Sequence, residues 1–304
     1  MPYFSFVFVC CVWGGSFILM DRASLALGPV AIGMGRLSIG AFVLAAYWTW
    51  LRAPVRLKSA EWGHVFVVAV LGNSLPFVVQ PYVMIQAQEH AYFGMMVALV
   101  PIATLLISIP MLGIFPSRRQ LIGVIGGLLC MVAIVHDGSQ RGITTGLIML
   151  ALSVPVSYAF CNAYIKWKLD HLPAVPITTM FLAIGAGLLL PLQFSPDALQ
   201  TLGMAAPEVP RDWPVAVAAM LFLGAIGTGV GVLLFIQMVK HQGPLFAGMV
   251  TYVIPVLALL WGQYDNENLT SMQLAAIVGV LAMVVVVQWG AASPLPSSAE
   301  PTSY

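Results

Sequence analysis

GPVAIGMGRLSIGAFVLAAYWTWL, residues 28–51, holds one charged side chain, Arg36, in twenty-four positions. A stretch of about 20 apolar residues is what a helix needs to cross roughly 30 Å of hydrocarbon. The run is bounded by Asp21-Arg22 before it and by Arg52, Arg56 and Lys58 after it. Charged clusters of this kind recur along the chain, and the gaps between them are membrane-sized.

The gaps are 1–20, 28–51, 62–88, 91–117, 120–136, 142–165, 172–196, 213–239, 242–264 and 268–288. They predict ten spans joined mostly by short polar turns. Helices are expected rather than barrel strands, because a spanning strand is half as long and alternates polar with apolar residues. The whole composition agrees. Hydrophobic residues make up 60% of the chain and charged residues only 8%, against roughly 25% charged for a soluble domain. Mean hydropathy is +0.96. The solvent for most of this chain is therefore the lipid bilayer. A formal net charge of +1 argues against a nucleic-acid partner, which requires a dense basic face. Cys10, Cys11, Cys130 and Cys161 lie in apolar runs without metal-ligand spacing and read as small buried hydrophobes.

Residues 194–212 carry Pro196, Pro207 and Pro210 and read as a loop with one surface turn of helix around 198–204. The Pro/Ser-rich stretch 291–304 reads as a disordered cytoplasmic tail. The first span lacks a basic leader and a convincing cleavage site, so it is expected to stay as a helix. With the N-terminus in the cytoplasm, the inner loops hold eight Lys and Arg and the outer loops three, which puts both termini inside. Tyr3, Trp62, Trp213 and Trp289, at span ends, suit interface anchors.

The chain also matches itself at a shift of about 154 residues. Gly94-Met95 aligns with Gly248-Met249, Pro101 with Pro255, and Leu105-Leu106 with Leu259-Leu260. Shifted by one, Leu121, Gly126, Leu128 and Val132 align with Leu274, Gly279, Leu281 and Val285. Pro29 with Pro176 and Gly40 with Gly187 align more weakly. The expected organisation is a first five-helix repeat over 1–137, a second over 138–290 and the tail over 291–304. Five is odd, so the second copy is inverted in the membrane, as in many secondary transporters.

Arg36 is the only Asp, Glu, Lys or Arg well inside a span, about 10 Å below the outer boundary at 1.5 Å per residue. A central arginine costs roughly 2.5–3.5 kcal/mol on insertion scales. It can meet a substrate carboxylate, hold a carbonyl in one gating state, or snorkel to the outer headgroups. Trp13 lies beside Gly14 and Gly15, which permit close backbone approach. Asn73 and Gln80 share a helical face interrupted by Pro76 and Pro81, and Tyr82 follows. Prolines free carbonyls four residues earlier, which here are those of Gly72 and Phe77. Tyr158 and Asn162 are i,i+4 neighbours on a span bent by Pro155, and Tyr252 stands shortly before Pro255. Trp13, Arg36, Asn73, Gln80, Tyr82, Tyr158, Asn162 and Tyr252 are thus the candidate substrate-binding residues. Gly14, Gly15, Pro76, Pro101, Pro155 and Pro255 are the candidate hinges. Interspan hydrogen bonding is the alternative use of the same amides. Small residues at four-residue spacing, Gly123 and Gly127 in the fifth span and Ser271, Ala275 and Gly279 in the tenth, mark packing faces through which a homodimer can form.

No span carries Asp or Glu, there is no phosphate-binding loop, and no hydrolytic triad or zinc motif has workable spacing. Neither a cofactor nor a metal is expected. An integral-membrane enzyme or lipid-handling protein, the competing class, would need a catalytic pair at one membrane face.

WGGSF at Trp13–Phe17, a proline seven residues before an Arg-Leu pair at Pro29–Leu37, and QLIGVIGGLLCMVAI at Gln120–Ile134 together resemble the EamA-type members of the drug/metabolite transporter superfamily. The stretch 91–135, with Pro101, resembles that family's fourth and fifth helices, and 243–287 resembles its second copy. Arg36 falls on an arginine common at that place. One departure is Gly113-Ile114-Phe115-Pro116, where the family often has Gly-Glu. The resemblance implies ten helices in two inverted five-helix repeats in the bacterial cytoplasmic membrane. It implies export or exchange of small organic metabolites, such as amino acids or amphipathic drugs.

Overall fold

The computed structural model describes residues 2–52, 54–87, 96–113, 115–138, 144–264 and 271–288. The expected tail at 291–304 lies outside them, as do Glu89, His90, Arg141, Asp265, Glu267 and Trp289. Among the described residues every regular element is helical. A chain in hydrocarbon must satisfy each backbone N–H and C=O within itself, and a helix does this segment by segment. In chain order the helices are α1 (Tyr3–Ser24), α2 (Pro29–Leu51), α3 (Ser59–Ala87), α4 (Val97–Leu112), α5 (Arg118–Gly138), α6 (Thr145–Lys168) and α7 (Ala174–Gln193). The short α8 (Pro196–Thr201), α9 (Trp213–Gln242), α10 (Pro244–Gly248, continuing as Val250–Tyr264) and α11 (Ser271–Gln288) complete them. Among the described residues six, α1, α2, α3, α6, α7 and α9, are long and apolar enough to cross a membrane.

Large apolar side chains face outward along these helices, Phe4, Phe42, Trp50 and Leu129 among them. In water such a belt would be a liability; in lipid it matches the solvent. Tyr3, Trp62 and Trp213 are each about half exposed at helix ends. Cys10 and Cys161 are buried and Cys130 half-buried, but Cys11 is exposed on the outside of α1.

The helices pack in reciprocal pairs. α2 and α7 lie against each other at the centre. α2 also packs on the middle of α9, and α7 on the middle of α3. α1 packs on α10 and α9, while α6 packs on α4 and α3. Glycines allow the central approaches. A Cβ on Gly40 would fall 3.0 Å from the Gly229 nitrogen, and one on Gly185 would fall 3.1 Å from Ser74 Oγ. α5 and α11 pack along each other at the side. Their small-residue faces are turned to neighbours within the chain: Gly126 to Met283, Gly279 to Cys130, Gly127 to Tyr252.

Two helices widen midway. Val68–Ser74 in α3 and Leu223–Val230 in α9 are wound as π-helix, a form most often seen as a single turn at functional sites. Their starts lie one residue off the shift of the sequence repeat. In α3 the wide turn is held by side chains reaching five residues back: Asn73 Nδ2 donates to the Val68 carbonyl and Ser74 Oγ to the Ala69 carbonyl, both at 3.0 Å. α1 breaks at Gly15, α4 opens with a 3₁₀ turn at Val97–Leu99 just before Pro101, and α10 breaks at Met249. By contrast, α6 runs unbroken through Pro155 and α10 through Pro255. The irregular backbone is therefore at Gly15 and the π turns rather than at those two prolines.

Candidate functional site: a cavity at the π turns

The widened turn of α3 borders a cavity with about 800 Å³ of space that no atom fills, its mouth included, and α9 reaches it just past its own π turn, at Val232. Trp13, Arg36, Asn73, Gln80, Tyr158 and Asn162 line it. These six come from α1, α2, α3 and α6; α9 and α10 add Phe235, Ile236, Thr251 and Ile254. The walls are mostly apolar.

Arg36 is 5% exposed and turns into the helix bundle. Its Nε donates to Thr228 Oγ1 at 3.3 Å and its Nη1 to the Met20 sulfur at 3.3 Å. Its guanidinium carbon stands 4.4 Å from the centroid of the Phe77 ring, within cation–π range. Among the described residues no carboxylate pairs with it. Thioether and ring are weak substitutes for hydration, so the charge is held in place without being neutralised.

Trp13 reaches across from α1 and donates from Nε1 to the Gly227 carbonyl at 2.8 Å, closing one carbonyl of the α9 π turn. Its ring packs on Phe235, with centroids 4.9 Å apart. Gly14 permits this approach of α1 to α10, since a Cβ there would strike Leu257. Tyr158 donates to Gln80 Oε1 at 3.5 Å, and Ser157 Oγ donates to the Leu71 carbonyl. Asn162 is 4% exposed, and its Nδ2 has no partner among the described residues. A buried amide donor left open is costly unless a ligand or water meets it.

Two sequence-derived candidates stand elsewhere. Tyr252 is fully buried, but its hydroxyl donates to the Val124 carbonyl at 2.8 Å, tying α10 to α5. Tyr82 lies outside the cavity and faces the surface segment after α8, near Gly203. The Phe77 carbonyl is not offered to the cavity either: it is pressed against Gly33 of α2, where a Cβ would come within 2.7 Å. Gly72, by contrast, lines the cavity and packs on Cys161. Thr228, Met20 and Phe235 were not singled out from sequence. Each is an ordinary small or apolar residue of an apolar span, and only the fold brings them to Arg36 and Trp13.

One turn beyond the cavity, α6, α9 and α3 end in a polar knot. Lys240 is buried, and its Nζ donates to the Leu169 carbonyl at 2.7 Å and to the Leu172 carbonyl. Lys166 donates to the Lys240 carbonyl and pairs with Asp170 at 2.9 Å. His171 Nε2 lies 2.8 Å from Glu61 Oε1. Val65, Leu169 and Val239, next to this knot along the helices, have no exposed surface.

With this geometry in hand, the comparisons with known proteins are specific. The sequence profile of the EamA-like transporter family matches residues 1–135 and again 145–289. The chain is 23% identical over 282 residues to the uncharacterized transporter YvbV of Bacillus subtilis, covering 92% of this chain and 89% of that protein. It is 23% identical over 301 residues to the uncharacterized inner membrane transporter YedA of Escherichia coli K12, covering 95% and 92%. A protein crystal structure shares the fold with a TM-score of 0.73 at 16% identity, covering 95% of this chain and 96% of the other. The chain belongs to the EamA-like transporter family and is a multi-pass membrane transporter.

Proposed function

We propose that this protein carries small organic metabolites, amino acids or amphipathic drugs among them, by alternating access across a bacterial cytoplasmic membrane. In this reading ten spans form two inverted halves, 1–137 and 138–290, with both termini in the cytoplasm. The twofold match of the family profile and the reciprocal helix pairs support it, since exchanging halves maps the α2–α9 contact onto α7–α3 and α1–α10 onto α6–α4.

The observation that carries the proposal is the cavity. It lies midway along the helices, draws walls from both halves, and holds a buried cation with no carboxylate partner among the described residues, together with an amide whose donor is open among them. Trp13, Arg36, Asn73, Gln80, Tyr158 and Asn162 are its working side chains. In this proposal the Lys240 knot seals one end of the cavity, and rocking of the halves would open it, with the π turns and the break at Gly15 as the deformable places. Proteoliposomes holding the wild type and the Arg36→Ala and Arg36→Lys variants test this. Solute efflux lost in Ala and partly kept in Lys is the expected result; unchanged efflux in both removes Arg36 from the mechanism.

A further inference from the structure

Resting on the reading of this cavity as the solute site, its hydrogen-bonding inventory narrows the solute. Arg36 brings a full positive charge into the wall, and among the described residues no Asp or Glu lines the space. The spare capacity includes donors. Arg36 commits two of its nitrogens, one to a hydroxyl and one to a thioether. Asn162 Nδ2 is buried with nothing to bond.

Irregular helices in transporters often bind cations through carbonyls released from the helical ladder. Here side chains of the protein already bond several carbonyls of the two π turns. Asn73 bonds Val68, Ser74 bonds Ala69, Ser157 bonds Leu71 and Trp13 bonds Gly227. The Gln80 carboxamide oxygen already accepts from Tyr158. An ammonium entering this space would lose its hydration, find no carboxylate among the described residues, and face Arg36. A carboxylate would instead meet an unpaired guanidinium and an open amide, the pairing that forms the stronger charge-assisted bonds. The remaining wall, with Trp13, Phe77, Phe181 and Phe235, suits a ring or other flat apolar body.

We propose that the cavity takes an organic anion bearing one carboxylate on an apolar body, and selects it over the matching zwitterion and over organic cations. The test uses the purified full-length protein and four compounds of one skeleton: 3-phenylpropionate, its amide, phenylalanine and phenethylamine. Isothermal titration should give the carboxylate an affinity at least about tenfold above each of the others, a gap of about 1.4 kcal/mol. Arg36→Gln should erase the preference of carboxylate over amide. Asn162→Ala, which removes no charge, should weaken the carboxylate several-fold and leave the amine unchanged; monodisperse elution of both variants certifies their fold. Equal or tighter binding of phenylalanine or phenethylamine overturns the preference and leaves the carrier reading standing. Binding of none of the four also overturns it, and flux of other solutes in the same proteoliposomes then decides whether the carrier reading survives.

Discussion

The guanidinium of Arg36 lies over the face of Phe77, 4.4 Å from the ring centroid, so a buried charge in the cavity wall is held by an aromatic ring on the neighbouring helix. Phe77 presents that face because α3 has just left its π turn at Ser74. Gly33 lets the Phe77 backbone sit against α2. Ring, wide turn and glycine together set where the cation stands.

Replacing Phe77 by Leu removes the ring while keeping bulk. A cation–π contact of this kind is worth about 0.5–2 kcal/mol. The expected outcome is solute affinity changed by several-fold with folding intact, measured by titration alongside a thermal melt. An unaltered affinity would show that Thr228 and Met20 suffice to hold Arg36.

Tyr252→Phe separates packing from binding. The hydroxyl bonds the Val124 carbonyl and lines no part of the cavity. Loss of an interspan hydrogen bond costs about 0.6 kcal/mol on average. A slightly lowered melting temperature with unchanged transport is expected. A transport defect as large as that of Arg36→Ala would bring Tyr252 back into the site.

Gly127→Val should be worse than Tyr252→Phe, because its Cβ would lie 2.8 Å from the Tyr252 ring. Overpacking of this sort typically costs about 1–3 kcal/mol. The second-site change Tyr252→Ala should restore part of the loss in a thermal melt; an additive pair would mean the two side chains do not press on each other.

Lys240→Met removes the side-chain donor to the Leu172 carbonyl and one of the two donors to the Leu169 carbonyl, which keeps the Leu172 N–H. A bias of about 1.4 kcal/mol toward opening would raise exposure of the sealed end roughly tenfold. Leu169 has no exposed surface, so a cysteine placed there, with the native cysteines replaced, should react slowly with a maleimide in the parent. In the Lys240→Met background it should react about tenfold faster. Equal rates would mean the knot does not seal the cavity.

Much of this architecture is legible because charge is absent. A span shows itself in sequence wherever some twenty residues lack Asp, Glu, Lys and Arg, and Arg36 stands out as the exception. Trp13, Asn73, Gln80, Tyr158 and Asn162 come to one cavity because each is a polar-tipped residue at mid-depth, where lipid is a poor partner. Tyr82 and Tyr252 meet the same criterion and yet point elsewhere. A tyrosine hydroxyl is as well served by a carbonyl of the adjoining helix, and residue type does not say which face of a helix turns inward. The π turns are hidden for a related reason. VAVLGNS contains no proline; its widening depends on Asn73 and Ser74 bonding five residues back and on Gly185 of α7 lying beside Ser74.

The inverted relation of the halves is the premise of the carrier mechanism, and cysteine labelling reads it directly. Arg119 and Ser271 are exposed near the starts of α5 and α11, equivalent places in the two copies. Single cysteines at the two positions, in a background without the native four, can be probed in intact cells and in inverted vesicles with a membrane-impermeant maleimide. Arg119→Cys should be labelled from the cytoplasmic side only and Ser271→Cys from the outer side only. Labelling of both from the same side would contradict it.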